Sequence, residues 1–301
     1  MSLTAARRGR SMADLQALSS KVFSPQEIGA AIAAWKPRPT DVVIAPYGKC
    51  GTTWLQQIFH TLRTGGDMDF PDISAVVPWI ETATGLGIDI NAEQRANPRG
   101  FKSHMAHDEL PPGAKALVSL RDPKDALVSF YHFMSGWFLE PGAVTLDEFA
   151  GAYLERTIIG SYWGHLLSWW KVRHAPNVLL LSYEHMLAEP ESAIRRVAAF
   201  AGIPLTDELL ALTLERSSIQ YMLEHKDRFD DALMRQLSET RCNLPPGSDS
   251  AKVRKGGAGG HVHEMSPAVS AAMDARWREL VTPITGHPDY AALEADLRAG
   301  R

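Results

Sequence analysis

The chain has 301 residues, of which 45% are hydrophobic and 22% charged, and this composition is typical of a globular protein with a large core. The formal net charge of −4 argues against a nucleic-acid-binding protein, which would need a basic domain. With two cysteines, Cys50 and Cys242, a disulfide framework and a four-cysteine zinc site are excluded. A secretory signal and an apolar run of about 18 residues are both missing, so we expect a cytoplasmic protein without a membrane partner.

Apolar runs and amphipathic stretches alternate along the chain and predict an α/β fold. Residues 1–22 are expected to form a flexible arm, and residues 23–301 a single domain. Its predicted helices cover 24–35, 52–63, 123–138, 145–156, 161–173 and 190–201, and its predicted strands cover 41–45, 99–103, 115–120 and 177–182. Nearly continuous apolar strands indicate a parallel sheet with helices on both faces. Beyond residue 205 the pattern is helical, interrupted by a loop over 244–260.

The first functional signal is the loop that joins the first predicted strand to the helix beginning at Thr52. It reads Tyr-Gly-Lys-Cys-Gly over 47–51 and is followed by Thr52 and Thr53. Open N–H groups at the helix start, glycines that permit close approach, and the charge of Lys49 predict a site for a phosphate or sulfate ester. Cys50 stands where nucleotide triphosphatases place a magnesium-binding Ser or Thr, so no metal is expected. The alternative is a turn that happens to contain a lysine.

A second signal follows the strand over 115–120. Arg121 stands where that strand ends, Pro123 begins a helix, and Ser129 lies about two turns along it. The guanidinium of Arg121 is suited to bind a phosphate with two hydrogen bonds, and Ser129 adds a hydroxyl. The alternative is a structural ion pair between Arg121 and Asp122 or Asp125.

A third signal is a cationic segment near the C-terminal end of the sequence. Arg254 and Lys255 precede a run of small residues over 256–260. Two cations beside flexible glycines are suited to a segment that folds over an anion. A solvated linker is the alternative.

A histidine follows the predicted strand over 99–103. In α/β sheets, ligands bind at the carboxyl ends of the strands, and His104 would project there. From its position alone, His104 is either a catalytic residue or a hydrogen-bonded scaffold residue.

Taken together, these segments resemble the motifs of sulfotransferases that use 3′-phosphoadenosine-5′-phosphosulfate (PAPS), in particular the cytosolic small-molecule type, with a bacterial-like character. Residues 49–54 resemble the 5′-phosphosulfate loop, 121–133 the 3′-phosphate motif, and 254–259 the segment that clasps the nucleotide. Residues 177–186 resemble a further strand that ends in a tyrosine near the adenine. The resemblance implies a P-loop-type parallel sheet with helices on both faces and a helical C-terminal part.

The resemblance also implies a mechanism. Sulfuryl transfer needs a base for the hydroxyl or amine of the acceptor and a cation beside the leaving phosphate. His104 would be the base, and Lys49 with the help of Lys102 would supply the cation. The implied donor-binding residues are Lys49, Cys50, Gly51, Thr52, Thr53, Trp54, Arg121, Ser129, Tyr183, Ser217, Ile219, Arg254, Lys255 and Gly256. The acceptor, a small hydrophobic or aromatic molecule, is expected to contact Trp79, Phe133 and Trp137.

The chain departs from the family pattern at two places. Ser217-Ser218-Ile219 stands where Thr-Ser-Phe is usual, and Gly260-His261 stands where Asp-Trp is common, so the segment over 254–262 is expected to close differently. Two other functions stay open at this point, a P-loop small-molecule kinase and a protein that binds the nucleotide without transferring a group. A homodimer is allowed, although the C-terminal dimer motif of the family is not recognisable.

Overall fold

A parallel sheet forms the centre of the molecule. The computed structural model describes residues 6–155, 160–247, 250, 252–254 and 256–300. Within these residues the sheet has four strands in the order β2–β1–β3–β4, all parallel. The strands are β1 (Val42–Ile44), β2 (Gly100–Lys102), β3 (Lys115–Leu120) and β4 (Val178–Ser182). Each lies inside a predicted strand, so the predicted parallel sheet is confirmed.

Helices cover the sheet and make up most of the remaining described chain. Single turns of 3₁₀-helix lie at Ile80–Thr82, Lys226–Phe229 and Gly260–His263, and a π-helical turn at Trp277–Val281. The α-helices are α1 (Met12–Val22), α2 (Pro25–Ala34), α3 (Thr52–Thr64), α4 (Ile73–Val76), α5 (Ala83–Leu86), α6 (Pro123–Phe138), α7 (Leu146–Leu154), α8 (Tyr162–Lys171), α9 (Tyr183–Ala188), α10 (Pro190–Ala201), α11 (Asp207–Arg216), α12 (Ile219–Glu224), α13 (Ala232–Cys242), α14 (Pro267–Arg276), α15 (Thr282–Thr285) and α16 (Tyr290–Arg298).

The helix ends follow the signals that predicted them. α7 begins with a capping box, in which Thr145 and Glu148 each satisfy a backbone N–H of the other. α10 has Pro190 in its first turn and is capped at its C-terminal end by Gly202, whose φ of 74° suits a residue without a side chain. The predicted helix over 145–156 ends at Leu154, and its residue 156 lies outside the described residues.

Apolar side chains pack on both faces of the sheet. Successive residues of a strand point to opposite faces, so Val43 joins one buried cluster while Val42 and Ile44 join another. The first cluster includes Phe101 and the second includes Phe59 of α3. Both faces are therefore covered, as predicted. None of the described helices is long and apolar enough to cross a membrane.

The beginning of the described chain differs from the flexible arm expected over 1–22. Residues 12–22 form α1, on which Leu15 and Val22 are buried because they lie two turns apart on one face. The preceding Gly9 exchanges backbone hydrogen bonds with Phe138 and Glu140. This segment is therefore part of the packed core, and residues 1–5 lie outside the described residues. That residues 23–301 form a single domain stays a prediction.

Candidate functional site

A cavity of about 610 Å³ opens at the carboxyl ends of β1, β2 and β3. Parallel strands with helical crossovers place their exit loops at one edge, which is where ligands bind in such sheets. The predicted site residues that line this cavity come from distant parts of the sequence: Lys49, Gly51, Thr52, Thr53, Trp54, Trp79, Lys102, His104, Arg121, Ser129, Phe133, Trp137, Tyr183, Ser217, Ile219, Arg254 and Gly256. Lys255 lies outside the described residues.

The loop between β1 and α3 wraps tightly at the start of the helix. Lys49 and Gly51 have positive φ angles of 69° and 95°. A Cβ atom on Gly51 would lie 3.0 Å from the ring of Tyr183, so a glycine is required by both conformation and space. The first N–H groups of α3 have no partner within the helix, and Gly51, Thr52 and Thr53 at this helix start line the cavity. This is the helix-start geometry that binds phosphate groups.

Cys50 is the predicted binding residue that the fold turns away from the cavity. Its side chain is fully buried, and its N–H donates to the carbonyl of Tyr47 at 3.1 Å. Burial raises the pKa of its thiol to about 12, so the side chain stays neutral. The carbonyl of Cys50 accepts from the hydroxyl of Ser119 on β3. Cys50 therefore fixes the shape of the loop, and its contact with a donor stays a prediction.

Lys49 places its ammonium group in the interior of the site. Its Nζ donates to the backbone carbonyl of Lys252 at 3.3 Å and lies 4.6 Å from the centre of the Phe133 ring. Burial, together with the nearby charge of Lys252, lowers the pKa of Lys49 to about 7. An anion bound beside Lys49 would raise that pKa and stabilise the charged form.

His104 is oriented by two hydrogen bonds. Its Nδ1 lies 2.7 Å from the carbonyl oxygen of Pro46, and its backbone N–H donates to the carboxylate of Glu81 at 2.7 Å. Because a carbonyl can only accept, Nδ1 carries the proton and Nε2 keeps its lone pair. Burial, and then the charge of Lys102, lower the pKa of His104 to about 3, so the imidazole is neutral at physiological pH. A neutral imidazole with a free Nε2 is a proton acceptor.

Lys102 lies beside this histidine at the end of β2. Its Nζ is 3.9 Å from the centre of the Trp79 ring and 3.5 Å from Oδ1 of Asp231. Burial lowers the pKa of Lys102 to about 8, against the raising effect of Asp231. Lys252 also contacts Asp231, with 2.6 Å between Nζ and Oδ1. Although burial favours the neutral acid, these two ammonium groups hold the pKa of Asp231 well below its usual range.

Arg121 connects the loop of Lys49 with the C-terminal segment. Its two terminal nitrogens donate to the carbonyls of Lys49 at 2.9 Å and Gly257 at 3.0 Å, and its guanidinium stacks 4.3 Å from the centre of the Tyr183 ring. The Tyr183 ring in turn packs edge-on against Trp54, with ring centres 5.6 Å apart. Both rings line the cavity, where flat aromatic surfaces are suited to stacking with an aromatic heterocycle such as a nucleobase.

Asp122 and Asp125, the two alternative partners of Arg121, form hydrogen bonds with other groups. Asp122 accepts from the N–H of Lys124 and caps α6. Asp125 accepts from the N–H groups of Gly259 at 2.5 Å and His261 at 3.0 Å, and from Nδ1 of His261 at 2.8 Å. Asp125 thus fastens the segment over 256–261 to α6, and His261 takes part where the family pattern has a tryptophan.

The segment that carries Arg254 packs over the side of the cavity on which Arg121 lies. Arg254 lies 3.6 Å from the carboxylate of Glu264. Gly256 has a φ of 59°, and a Cβ atom there would lie 2.5 Å from the side chain of Ile219, which itself lines the cavity. Ser217 also lines the cavity, and its hydroxyl donates to the carbonyl of Thr213 at 2.7 Å. The segment is therefore packed against the site and is not a solvated linker.

The other side of the cavity is aromatic. Phe133 and Trp137 of α6 pack edge-on, with ring centres 5.1 Å apart. Nε1 of Trp137 donates a hydrogen bond to the hydroxyl of Ser238 at 2.7 Å. Trp79 packs against His104, with ring centres 5.0 Å apart, and against Phe23, with ring centres 5.7 Å apart. Ser19 and Ser20 of α1, together with Phe23, also line the cavity. Part of this wall thus comes from the segment that was expected to be a free arm.

Sequence reasoning missed several residues of the site. Asp231 and Lys252 complete the charged cluster, Asp125 anchors the C-terminal segment, and Glu81 orients His104. Asp125 lies in the first turn of α6, four residues after Arg121, and this position was a signal that it lies near the same site. Asp231 and Lys252 lie in segments without a recognisable motif.

Several polar atoms in the wall are ready to bind an anion. Among the described residues, Oγ1 of Thr52, Nε1 of Trp54 and Nε of Arg121 are buried and have no hydrogen-bond partner. Buried donors are rarely left unpaired in a protein, so unpaired donors in a cavity indicate a polar ligand. With Lys49 and the start of α3, they fit a ligand that carries more than one anionic group.

Comparisons with known proteins identify the family of this chain. Residues 39–284 match the model of the sulfotransferase domain family. Human sulfotransferase 1C2 is 26% identical over 259 residues, which cover 82% of this chain and 85% of that protein. A 3-beta-hydroxysteroid sulfotransferase of Cavia porcellus is 26% identical over 275 residues, which cover 88% and 91%.

The fold is also shared with solved structures. A retinol dehydratase in complex with androsterone and the inactive cofactor PAP aligns with a TM-score of 0.70 at 19% identity, over 93% of this chain and 96% of that one. A mouse sulfotransferase complexed with PAP aligns with a TM-score of 0.67 at 22% identity, over 91% and 95%. The family match covers most of the chain and includes the whole cavity edge of the sheet. This chain is a member of the sulfotransferase family.

Proposed function

We propose that the protein transfers the sulfuryl group of PAPS to a hydroxyl, or an amine, of a small hydrophobic or aromatic acceptor. The observation that carries the proposal is one cavity lined by two separate anion-binding groups and by a neutral histidine. Lys49, with the start of α3, forms the first group, and Arg121 with Ser129 forms the second. The homodimer considered from the sequence stays a prediction.

The two cationic groups favour a donor with phosphates at both ends of an adenosine. Thr52, Thr53 and the first N–H groups of α3 would hold the 5′-phosphate, because both threonines line the cavity and Oγ1 of Thr52 has no hydrogen-bond partner. The first N–H groups of a helix likewise have no partner within the helix. Arg121, Ser129 and Arg254 would hold the 3′-phosphate. Trp54 and Tyr183 offer aromatic faces for the adenine. The PAP complexes of the two structural neighbours agree with such a donor.

The chemistry then follows from the charges of the chain itself. PAPS, when bound, supplies the sulfuryl group and a phosphate that leaves with negative charge. Nε2 of His104 would accept the proton of the acceptor hydroxyl, because Nδ1 is already occupied by the carbonyl of Pro46. The ammonium groups of Lys49 and Lys102 would stabilise the charge that develops on the leaving phosphate, because both line the cavity beside His104.

The acceptor side of the cavity supports an apolar or aromatic molecule. Trp79, Phe133 and Trp137 present ring surfaces beside His104 and Lys49. Such a wall binds flat hydrophobic molecules by burying their surface, and a few polar groups fix their orientation.

Transfer of radiolabelled sulfate from PAPS tests the proposal directly. The purified protein is incubated with labelled PAPS and a mixed library of phenols, alcohols and amines, and labelled products are separated and counted. We expect product only when acceptor and PAPS are both present, and no requirement for magnesium. A matched reaction contains ATP and magnesium in place of PAPS.

Two results would contradict the proposal. Group transfer from ATP with magnesium, without transfer from PAPS, would indicate a kinase. Tight binding of PAP by calorimetry, without transfer to any acceptor, would indicate a protein that binds the nucleotide only.

A further inference from the structure

One buried carboxylate joins two lysines of the cavity. Oδ1 of Asp231 lies 2.6 Å from Nζ of Lys252 and 3.5 Å from Nζ of Lys102, and it accepts from the hydroxyl of Ser74 at 3.2 Å. The side chains of the three charged residues are at most 7% exposed. In such a setting each charge depends on its partners, because water cannot replace them. The cluster is therefore an interior charge network and not a surface ion pair.

The backbone holds Asp231 rigidly in this position. Asp231 precedes α13 with a φ of 51°, a conformation that few residues other than glycine adopt. The next N–H, that of Ala232, donates to Oδ2 of Asp72 at 2.8 Å, and Oδ1 of Asp72 caps α4 by accepting from Ser74. The carboxylate of Asp231 thus stands on a turn that is itself fixed by hydrogen bonds.

The same carboxylate acts on Lys49 through Lys252. The side chain of Lys252 pairs with Asp231, and its backbone carbonyl accepts from Nζ of Lys49 at 3.3 Å. Lys102 pairs with Asp231 directly. Both lysines that face the cavity beside His104 are consequently connected to one acidic side chain.

We propose that Asp231 is a positioning residue for sulfuryl transfer, which fixes Lys102 by a direct ion pair and Lys49 through Lys252. The proposal rests on the proposed function for the role of the two lysines. The network itself is a property of the protein without a bound donor, so it can be tested separately.

The charges around the lysines give the proposal a distinctive signature. The charged groups that face Lys49 are Lys252, Asp231, Arg121 and Lys102, and those that face Lys102 are Asp231, Lys252, Asp72 and Glu81. Burial lowers the pKa of Lys49 to about 7 and that of Lys102 to about 8. Near neutral pH, a small shift of either pKa therefore changes the fraction of the lysine that is protonated. The anion of Asp231 raises both pKa values, whereas the cation of Lys252 lowers them.

Two substitutions should therefore shift the pH dependence in opposite directions. In Asp231→Asn the alkaline limb of kcat/KM for PAPS should move to lower pH, by about 1–3 units, because the lysines lose a neighbouring anion. In Lys252→Met the limb should move to higher pH, because they lose a neighbouring cation. Glu93→Gln is the control, since its exposed ion pair with Arg38 lies apart from the cavity.

A second readout needs no donor. Competitive acetylation of the free protein over a range of pH, followed by mass spectrometry, gives the pKa of Lys49 and Lys102 in each variant. We expect the same opposite shifts there. If wild-type protein transfers nothing from PAPS, the proposed function fails, and acetylation alone decides whether Asp231 controls the lysines.

Three results would overturn the proposal. The first is unchanged lysine pKa values in Asp231→Asn, and the second is a shift of the same sign in both variants. If Asp231→Asn does not fold, Lys252→Met decides alone, and the absence of an upward shift in that variant is the third.

Discussion

The orientation and the charge of His104 are set by its neighbours. The carbonyl of Pro46 fixes its proton on Nδ1, and burial beside Lys102 keeps its ring neutral. From the sequence, His104 was predicted to follow the end of a strand. The sequence left open whether His104 is a base or a scaffold residue, because the contacts that orient it come from Pro46, Glu81 and Trp79, which lie more than 20 residues away.

Replacement of His104 by alanine tests its role as base. We expect turnover to fall by roughly 10²–10⁴-fold, because proton removal from the acceptor is lost. PAP affinity should persist, since the phosphates are held by other residues. Steady-state kinetics and calorimetry measure the two quantities. His107→Ala is the matched control, because His107 packs on Trp169 and does not line the cavity, and retained turnover in His104→Ala would refute the assignment.

Arg121 is expected to act on donor binding. Arg121→Ala should weaken PAPS binding by about 1.5–3 kcal/mol, the usual contribution of hydrogen bonds to a charged group. Calorimetric titration with PAP measures the change. Arg173→Ala, which removes an arginine that stacks on Trp170 away from the cavity, is the control. An unchanged affinity in Arg121→Ala, with a normal melting temperature, would count against the role given to Arg121.

Among the elements, the strands and helices around the sheet were readable from the sequence. Continuous apolar runs marked β3 and β4, and caps such as Thr145 and Gly202 marked helix ends. α1 was not recognised, because Ser and Gln residues dilute its apolar face, and Leu15 and Val22 become informative only when a partner surface is known. The C-terminal segment was recognised from Arg254 and Lys255, whereas its attachment to α6 through Asp125 was not predicted.

The attachment through Asp125 gives a prediction about this element. In Asp125→Ala the N–H groups of Gly259 and His261 lose their acceptor, so hydrogen exchange over 259–263 should increase. PAP affinity should fall by about 1–3 kcal/mol, because the segment that carries Arg254 is less well held.

Asp147→Ala is the control for that variant, since Asp147 is an exposed acidic residue in the first turn of α7. Unchanged exchange and affinity in Asp125→Ala would show that the segment is held without this carboxylate.

At the scale of the whole molecule, buried histidines set the response to acid. Burial lowers the pKa of His60 and His104 to about 3 and that of His165 to about 4. In the unfolded chain their pKa is near 6.5, so between these values the unfolded state binds more protons. The free energy of unfolding should therefore be unaffected above about pH 6.5 and fall as the pH decreases, by roughly 1.4 kcal/mol per unit for each histidine.

Urea unfolding at several pH values between neutral and mildly acidic conditions measures this slope. His165→Gln can keep the hydrogen bond to the carbonyl of Ala45 and should remove about a third of the slope. His263→Gln, at an exposed position, should leave the slope unchanged. A wild-type stability that does not fall on acidification would contradict the prediction.

The position of α1 in the cavity wall suggests how acceptor preference could change between relatives. Ser19, Ser20 and Phe23 form part of the cavity wall, yet they share no segment with the loops of Lys49 and Arg121. Under the proposed function, an exchange of this one helix between relatives would change which acceptors fit the cavity and would leave the binding of PAPS unchanged. New acceptor preferences can thus arise by changes in this one segment, without changes in the residues proposed to bind the donor.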